Sequence, residues 1–518
     1  MKKLLCAILI AAMLAGCAAA PAETAPETDD AVRIELSDSG ITLKNYDPFD
    51  RDAVITNNQI VYYEAGHGED YGEGEEFEEH TAGEADGHWG ILITVPGTYR
   101  ISGKLSQGQI AVDLGEGAKD DPNAVVTLIL DGVDITCTVA PAIIFYNVYE
   151  SGEPDGPAGA CVILAEGSRN KVRGSHVAKI YKPGTEDTLH KYDGAFYSRM
   201  SMSIGGGGEL AVFADNEGLC SEMHLSIYGG IISILSANDC INTNADGESV
   251  TTISGGQLTL RCTGTSGEGD GIDSNGSIVI RGGIVEAFAC GTSQDSGLDA
   301  DLGILISGGI VIATGNMLDR IEDGSQTHAV FSFAQTQSGG SYALKNEKGT
   351  ALFETDAPNA FTNLIFSSPS LVEGNYTLWS GDTQFEGVAG QGGGPFFGEM
   401  QPIERPDRPD WPGRGDGDVE IPPQPTNPVV THGTVQPPQG EQPEKMPVPP
   451  MPEGSGDMPV PPMPQGSEEM PMPGMPEGVE PSKGGGENFI LIPVTGVLSA
   501  EFPITRGANY FSGVRPVE

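Results

Sequence analysis

Five isoleucines, Ile204, Ile227, Ile253, Ile280 and Ile306, recur at intervals of 23, 26, 27 and 26 residues, each just before a Gly-rich turn. Around them lies one frame: GLCSEMHLSIYGG from Gly218, CINTNADGESVTTISGG from Cys240, GIDSNGSIVIRGG from Gly271 and GLDADLGILISGG from Gly297. The copy from Gly194, GAFYSRMSMSIGGGG, is looser by a residue. A period in the twenties, with short β-branched runs and no 3.6-residue pattern, is that of a solenoid whose coils are unstable singly and stack to bury a common core. Leucine-rich repeats need a Leu/Asn pattern and a helical side, and propeller blades need longer units. The sequence therefore predicts an all-β fold, a parallel β-helix. Its alternate side chains form apolar ladders inside, and Gly-Gly supplies turns with positive φ.

The regular repeats run over 193–315 of a domain spanning 32–390. Earlier strings, LITVPGTYRISGKLSQGQIAV, VTLILDGVDIT and VILAEGSRNKV, read as irregular coils. After the repeats, hairpin-like strands over 326–385 predict a C-terminal cap that covers the open strand edges of the last coil. Residues 391–487 are rich in Pro, Gly and Met and include MPVPPMPEGSGD and MPVPPMPQGSEE, a composition that buries no core and predicts a disordered linker. Alternation returns over 488–518, a short β segment. The Gly-rich acidic stretch 64–86 reads as a mobile loop.

At the other end, Lys2 and Lys3, an apolar run and Leu14-Ala15-Gly16-Cys17 form a signal peptide over 1–17 with a lipobox. Lipidation is expected at Cys17, followed by an Ala/Pro/Thr-rich tether over 18–31. This predicts an extracytoplasmic protein, anchored by lipid to the bacterial membrane at the cell surface, and monomeric. With 73 acidic against 27 basic residues and a net charge of −46, nucleic acid is excluded as a partner. Beyond Cys6 and Cys17, the six remaining cysteines fit no zinc spacing, and their pairing stays open between disulfides and buried thiols.

Two columns of the frame carry acids or amides. Asp193, Glu217, Asp239 and Asp270 precede the repeat start, with Asp295 displaced by one residue, and Asn242, Asp273 and Asp299 hold the third position. Stacked coils lie ~4.8 Å apart, so residues of one column are neighbours. Like charges that close require a counter-ion, and a hard cation such as calcium (Ca2+) takes carboxylate and carbonyl oxygens. The candidate metal ligands are Asp193, Asp239, Asn242, Asp270, Asp273 and Asp299. Taken singly, each reads better as a turn residue bonding its own backbone, and only the set favours a cation. Tyr192, Tyr197 and Tyr228 flank these columns and are candidates to stack on sugar faces.

Hydrolysis of pectin by paired carboxylates is disfavoured: Asn242-Thr243-Asn244 only partly echoes the NTD motif of polygalacturonases, and their GHG and RIK elements are missing. A calcium-dependent pectate lyase needs a Lys or Arg base. No Lys lies between Lys191 and Lys345, although Lys171, Lys179, Lys182 and Lys191 keep that alternative open. No catalytic residue is assigned.

The ordered strings GTYRISG, VTLILDGVDIT, ILAEGSRNKV, DGAFYS, GDGIDSNGSIVIRGG and DADLGILISGG, closed by FSFAQTQSGGSYAL and LIFSSPSLVEGNYTLWSG, resemble the clostridial carbohydrate-binding domain proteins over about 92–381. That resemblance implies a right-handed single-stranded parallel β-helix similar to those of pectate lyases, bound calcium, and binding of cellulose or acidic pectic polysaccharide without catalysis. Three departures stand out: Cys240 in place of a Gly, Ser296 breaking the acidic column, and residues 151–187, which look inserted. The expected function is polysaccharide binding at the cell surface, with a polysaccharide lyase and a structural envelope adhesin as alternatives.

Overall fold

The computed structural model describes residues 31–45, 53–62, 80–181, 189–322, 324–390 and 497–517. The signal peptide with Cys17, the tether up to residue 30, positions 64–79 of the acidic stretch and the linker lie outside them. What is described is nearly all β. The exceptions are a 3-10 turn, Glu116–Asp120, and one turn of helix, Ala82–Ala85, where a loop was expected. That helix forms because Thr81 and Glu84 make a capping box: Glu84 N donates to Thr81 Oγ1 at 3.2 Å, and Thr81 N to Glu84 Oε2 at 2.8 Å.

Parallel strands stack rung upon rung in three columns. In the eight-stranded sheet, Trp89–Ile93, Gly108–Asp113, Ile143–Asn147, Gly194–Ser198, Glu217–Ser221, Ile241–Thr243 and Ile272–Ser274 pair successively. Their register aligns Ile91, Ile110, Ile143, Phe196, Leu219, Ile241 and Ile272, all fully buried. In the larger sheet the second column aligns Leu128, Val162, Ile204, Ile227, Ile253, Ile280 and Ile306. The third aligns Ile135, Val172, Val212, Ile234, Leu260, Ala287 and Ala313. The recurrent isoleucines are thus one apolar ladder of three. They share one continuous core, stabilised by roughly 25 cal/mol for each Å² of apolar surface removed from water.

Residues 89–174 form parallel rungs and are irregular as expected, with register shifts at Ile101/Gly103 and Val112/Asp113. Within the segment that looked inserted, Ala160–Leu164 and Arg169–Gly174 each pair on both sides. The added structure is the antiparallel hairpin Val177–Tyr181 and Leu189–Tyr192, which stands apart as its own two-stranded sheet.

Between the second and third columns the chain turns at stacked glycines. Gly230, Gly256, Gly283 and Gly309 have φ of +92°, +85°, +82° and +80°. A Cβ on Gly283 would lie 2.8 Å from the carbonyl oxygen of Gly256 one rung below. Both the φ and the contact are closed to other residues. Gly283→Ala is expected to cost about 2 kcal/mol or more, read as a lowered midpoint in chemical denaturation; an unchanged midpoint would refute this account of the turn.

The last rung is covered. Ile310–Gly315 pairs antiparallel with Phe361–Ser367, which pairs with His328–Gln337. The C-terminal segment completes this cap: Ala508–Pro516 runs parallel to His328–Gln337 and antiparallel to Thr383–Gly390, and Phe502–Ile504 pairs with Gly374–Ser380. A second core, rich in phenylalanine, lies between these strands.

Candidate functional site

The acidic residues sit where the eight-stranded sheet ends. In the strand Ile272–Ser274, Ile272 and Ser274 point inward and are buried, so alternation turns Asp273 outward. Asp299 lies on the next rung directly beside it: Asp299 N donates to Ile272 O at 2.8 Å and Ser274 N to Asp299 O at 3.1 Å. Asp270 lies at the preceding turn, where its Oδ1 accepts the backbone N–H of Ser296 at 2.5 Å. One carboxylate oxygen from each of Asp270, Asp273 and Asp299 falls within 4.8 Å of the others. Asp319 adjoins them, its Oδ2 accepting from Ala300 N at 2.8 Å.

Burial and mutual repulsion push these carboxyls far above their ordinary range. Burial, then Asp239 and Asp299, raise Asp270 to about 10. Burial, then Asp299 and Asp301, raise Asp273 to about 7, and burial, then Asp319, raises Asp299 to about 6. Arg320, next to Asp319, is bonded through Nε to Glu322 at 2.8 Å. An all-oxygen, half-buried cluster of like charges suits a hard cation: oxygens facing each other across calcium, at ~2.4 Å from the ion, are ~4.8 Å apart.

The rungs below are arranged otherwise. Asp239 stands beneath Asp270 and accepts its backbone N–H at 2.6 Å, a turn-stabilising bond; burial, then Asp273, raise it to about 8. Asn242 is in register with Asp273, but its Nδ2 donates to Glu217 Oε1 at 2.8 Å. Glu217 is itself pushed well above its usual range by burial, then by Asp193 and Asp239. Asp193 pairs with Lys191 Nζ at 2.8 Å. Asp193, Asp239 and Asn242, expected as metal ligands, stand outside the three-carboxylate cluster: an ammonium holds Asp193, and Asp239 and Asn242 lie one rung below, where the Asn242 Oδ1 is buried without a hydrogen-bond partner.

The tyrosines divide. Tyr192 and Tyr197 are only 4% and 2% exposed and pack edge to face, centroids 5.2 Å apart. The Tyr197 hydroxyl donates to Glu222 Oε1 at 2.5 Å. The expectation that these two stack on sugar is corrected: Tyr197 occupies the outward column of Cys220, Asn242 and Asp273, but at this rung Tyr192 covers it. Tyr228 is exposed, with its ring over Gly205.

Asp301 and Asp319 escaped the sequence reading. Asp301 is visible two residues past Asp299 in GLDADLG; Asp319 follows the last repeat and has no place in its frame. All six described cysteines are free thiols.

Comparison with known proteins bears on the same region. The family described as carbohydrate-binding domain-containing protein matches residues 88–363, more than half of the chain. A carbohydrate-binding domain-containing protein of Acetivibrio thermocellus is 31% identical over 145 residues, which is 28% of this chain and 44% of the relative's own length. A solved structure, that of the polysaccharide lyase-like protein from C. thermocellum as a gadolinium derivative, shares 21% identity over 54% of this chain and 83% of that one, with a TM-score of 0.33.

Proposed function

The chain belongs to the family of carbohydrate-binding domain-containing proteins, and from that premise we propose that it is a monomeric, lipid-anchored polysaccharide-binding protein of the bacterial cell surface. Its ligand is cellulose or acidic, pectic plant polysaccharide, bound without cleavage. The observation that carries this reading is that the family match, residues 88–363, covers the stacked rungs from Trp89 onward, including the acidic cluster.

The three columns are read as the faces of one right-handed parallel β-helix, since parallel strands joined by crossovers take that hand almost without exception. In this reading calcium binds at Asp270, Asp273 and Asp299, neutralising carboxylates that otherwise repel. It locks two adjacent rungs together. Of the bases that kept lyase chemistry open, Lys191 is held by the buried Asp193 at 2.8 Å, whereas Lys171 makes only an exposed pair with Asp134, so the lyase stays the alternative that a product assay decides. The side chains of Lys179 and Lys182 lie outside the described residues.

Incubating the full chain with polygalacturonate and with cellulose, with and without calcium, tests the proposal. Retention on polysaccharide with no ultraviolet-absorbing unsaturated product is expected. Unsaturated products would establish the lyase, and retention on neither polymer would leave the envelope adhesin.

A further inference from the structure

The third column of strands carries a feature that the acidic cluster does not explain. On Arg169–Gly174, Asn170, Val172 and Gly174 are buried, while Arg169, Lys171 and Arg173 share the outer face. Alternate residues on a strand are ~6.6 Å apart, so three cations stand in a row of ~13 Å. In a chain with 27 basic residues against 73 acidic ones, such a row is unusual.

The neighbouring strands shape the surface beside it. In register with Lys171 come Ala211 and then Ser233, whose small side chains leave a trough. Arg169, Lys171, Glu209, Ala211, Ile231 and Ser233 bound a cavity of about 240 Å³ there. At the far end of the same strands a second cavity, of about 360 Å³, is lined by Arg173, Ser175, Phe213 and Asp215, among others. The Arg173 guanidinium lies 4.7 Å from the centre of the Phe213 ring.

Arg169 and Lys171 are held only by exposed ion pairs, to Glu209 and Asp134, both at 3.4 Å. Exposed pairs contribute little, so a ligand carboxylate can replace either partner. The charge of the rest of the molecule repels a polyanion. A polyanion can therefore dock only where basic side chains are concentrated.

We infer that the outer face of Arg169–Gly174, Glu209–Ala214 and Ile231–Ser236 is the binding groove for a uronate-containing polysaccharide. Arg169, Lys171 and Arg173 bind successive carboxylates, and Phe213 supports the Arg173 guanidinium from below at the end of the groove. This rests on the polysaccharide-binding reading and narrows it to an acidic polymer and one face.

The test uses the full chain in calcium, titrated with polygalacturonate and with neutral cellulose oligosaccharides. The variant R169Q/K171Q/R173Q is expected to bind polygalacturonate at least about tenfold more weakly at unchanged melting temperature, and R169K/R173K, which keeps the charge, to retain most of the affinity. Polygalacturonate binding that survives unchanged in the triple variant overturns the inference, as does wild-type binding of the neutral oligosaccharides alone; in both cases polysaccharide binding itself stands. A wild-type chain that binds no polysaccharide overturns both.

Discussion

Stripped of divalent cations, the protein is expected to lose stability steadily as pH rises from the ordinary carboxylate range toward about 10, and calcium is expected to remove that loss. The sign follows from the carboxyls at the end of the eight-stranded sheet. Asp299, Asp273, Asp239 and Asp270 titrate in the fold at about 6, 7, 8 and 10, against 3.8 for a free Asp. Between 3.8 and each raised value the folded chain holds a proton that the unfolded chain has released. Stability therefore falls as pH climbs through that window, and is regained on acidification.

A cation reverses the trend, because it binds the deprotonated oxygens more tightly as protons leave. At a concentration a hundredfold above its dissociation constant it adds about 2.7 kcal/mol, or on the order of 3–5 °C in melting temperature for a fold of this size. Thermal melts across this pH range, with chelator and with calcium, check the claim. A chelated protein whose melting temperature is flat or rises with pH would refute the electrostatic account of the cluster.

The second large effect belongs to the cap. Phe511 is 2% exposed and stacks on Phe331, centroids 5.3 Å apart, with the edge of Phe502 against both. Phe511 and Phe502 come from beyond residue 497, whereas Phe331 follows the last rung directly. Phe511→Ala removes the ring that joins these strands and is expected to cost about 3–5 kcal/mol. On the same strand, Arg515 makes an exposed pair with Glu386 at 3.1 Å, so Arg515→Gln should cost less than about 1 kcal/mol. Denaturant melts of both variants decide it. Equal losses would mean that the C-terminal strand adheres to the cap without completing its core.

The rungs were legible in the sequence because each needs one apolar residue at a fixed place, and Ile227, Ile253, Ile280 and Ile306 keep it through every turn. The acidic cluster was half legible. Asp270, Asp273 and Asp299 share the frame, but the frame is silent on what else reaches a column. Lys191 reaches Asp193 from a hairpin that no repeat contains, and Asn242 Nδ2 bonds back to Glu217. Tyr197 illustrates the same limit: its outward parity is that of Asp273, yet Tyr192 buries it. The partner of the cap was hidden for a different reason. Residues 391–496 separate Thr383–Gly390 from the strands that complete it, and alternation alone does not name a pairing partner across such a distance. The basic row on Arg169–Gly174 was obscured because its segment departs from the family pattern and reads as an insertion, whereas it is an ordinary rung.

The central claim, that a cation bound by three stacked carboxylates locks the rungs of a polysaccharide-binding domain, is tested most directly by calorimetric titration of calcium into the chelator-treated full chain and into D270N/D273N/D299N. Amides in place of repelling carboxylates leave the variant folded. The account predicts one saturable site in the wild type and its loss in the variant. Equal binding in both, or none in the wild type, would contradict it.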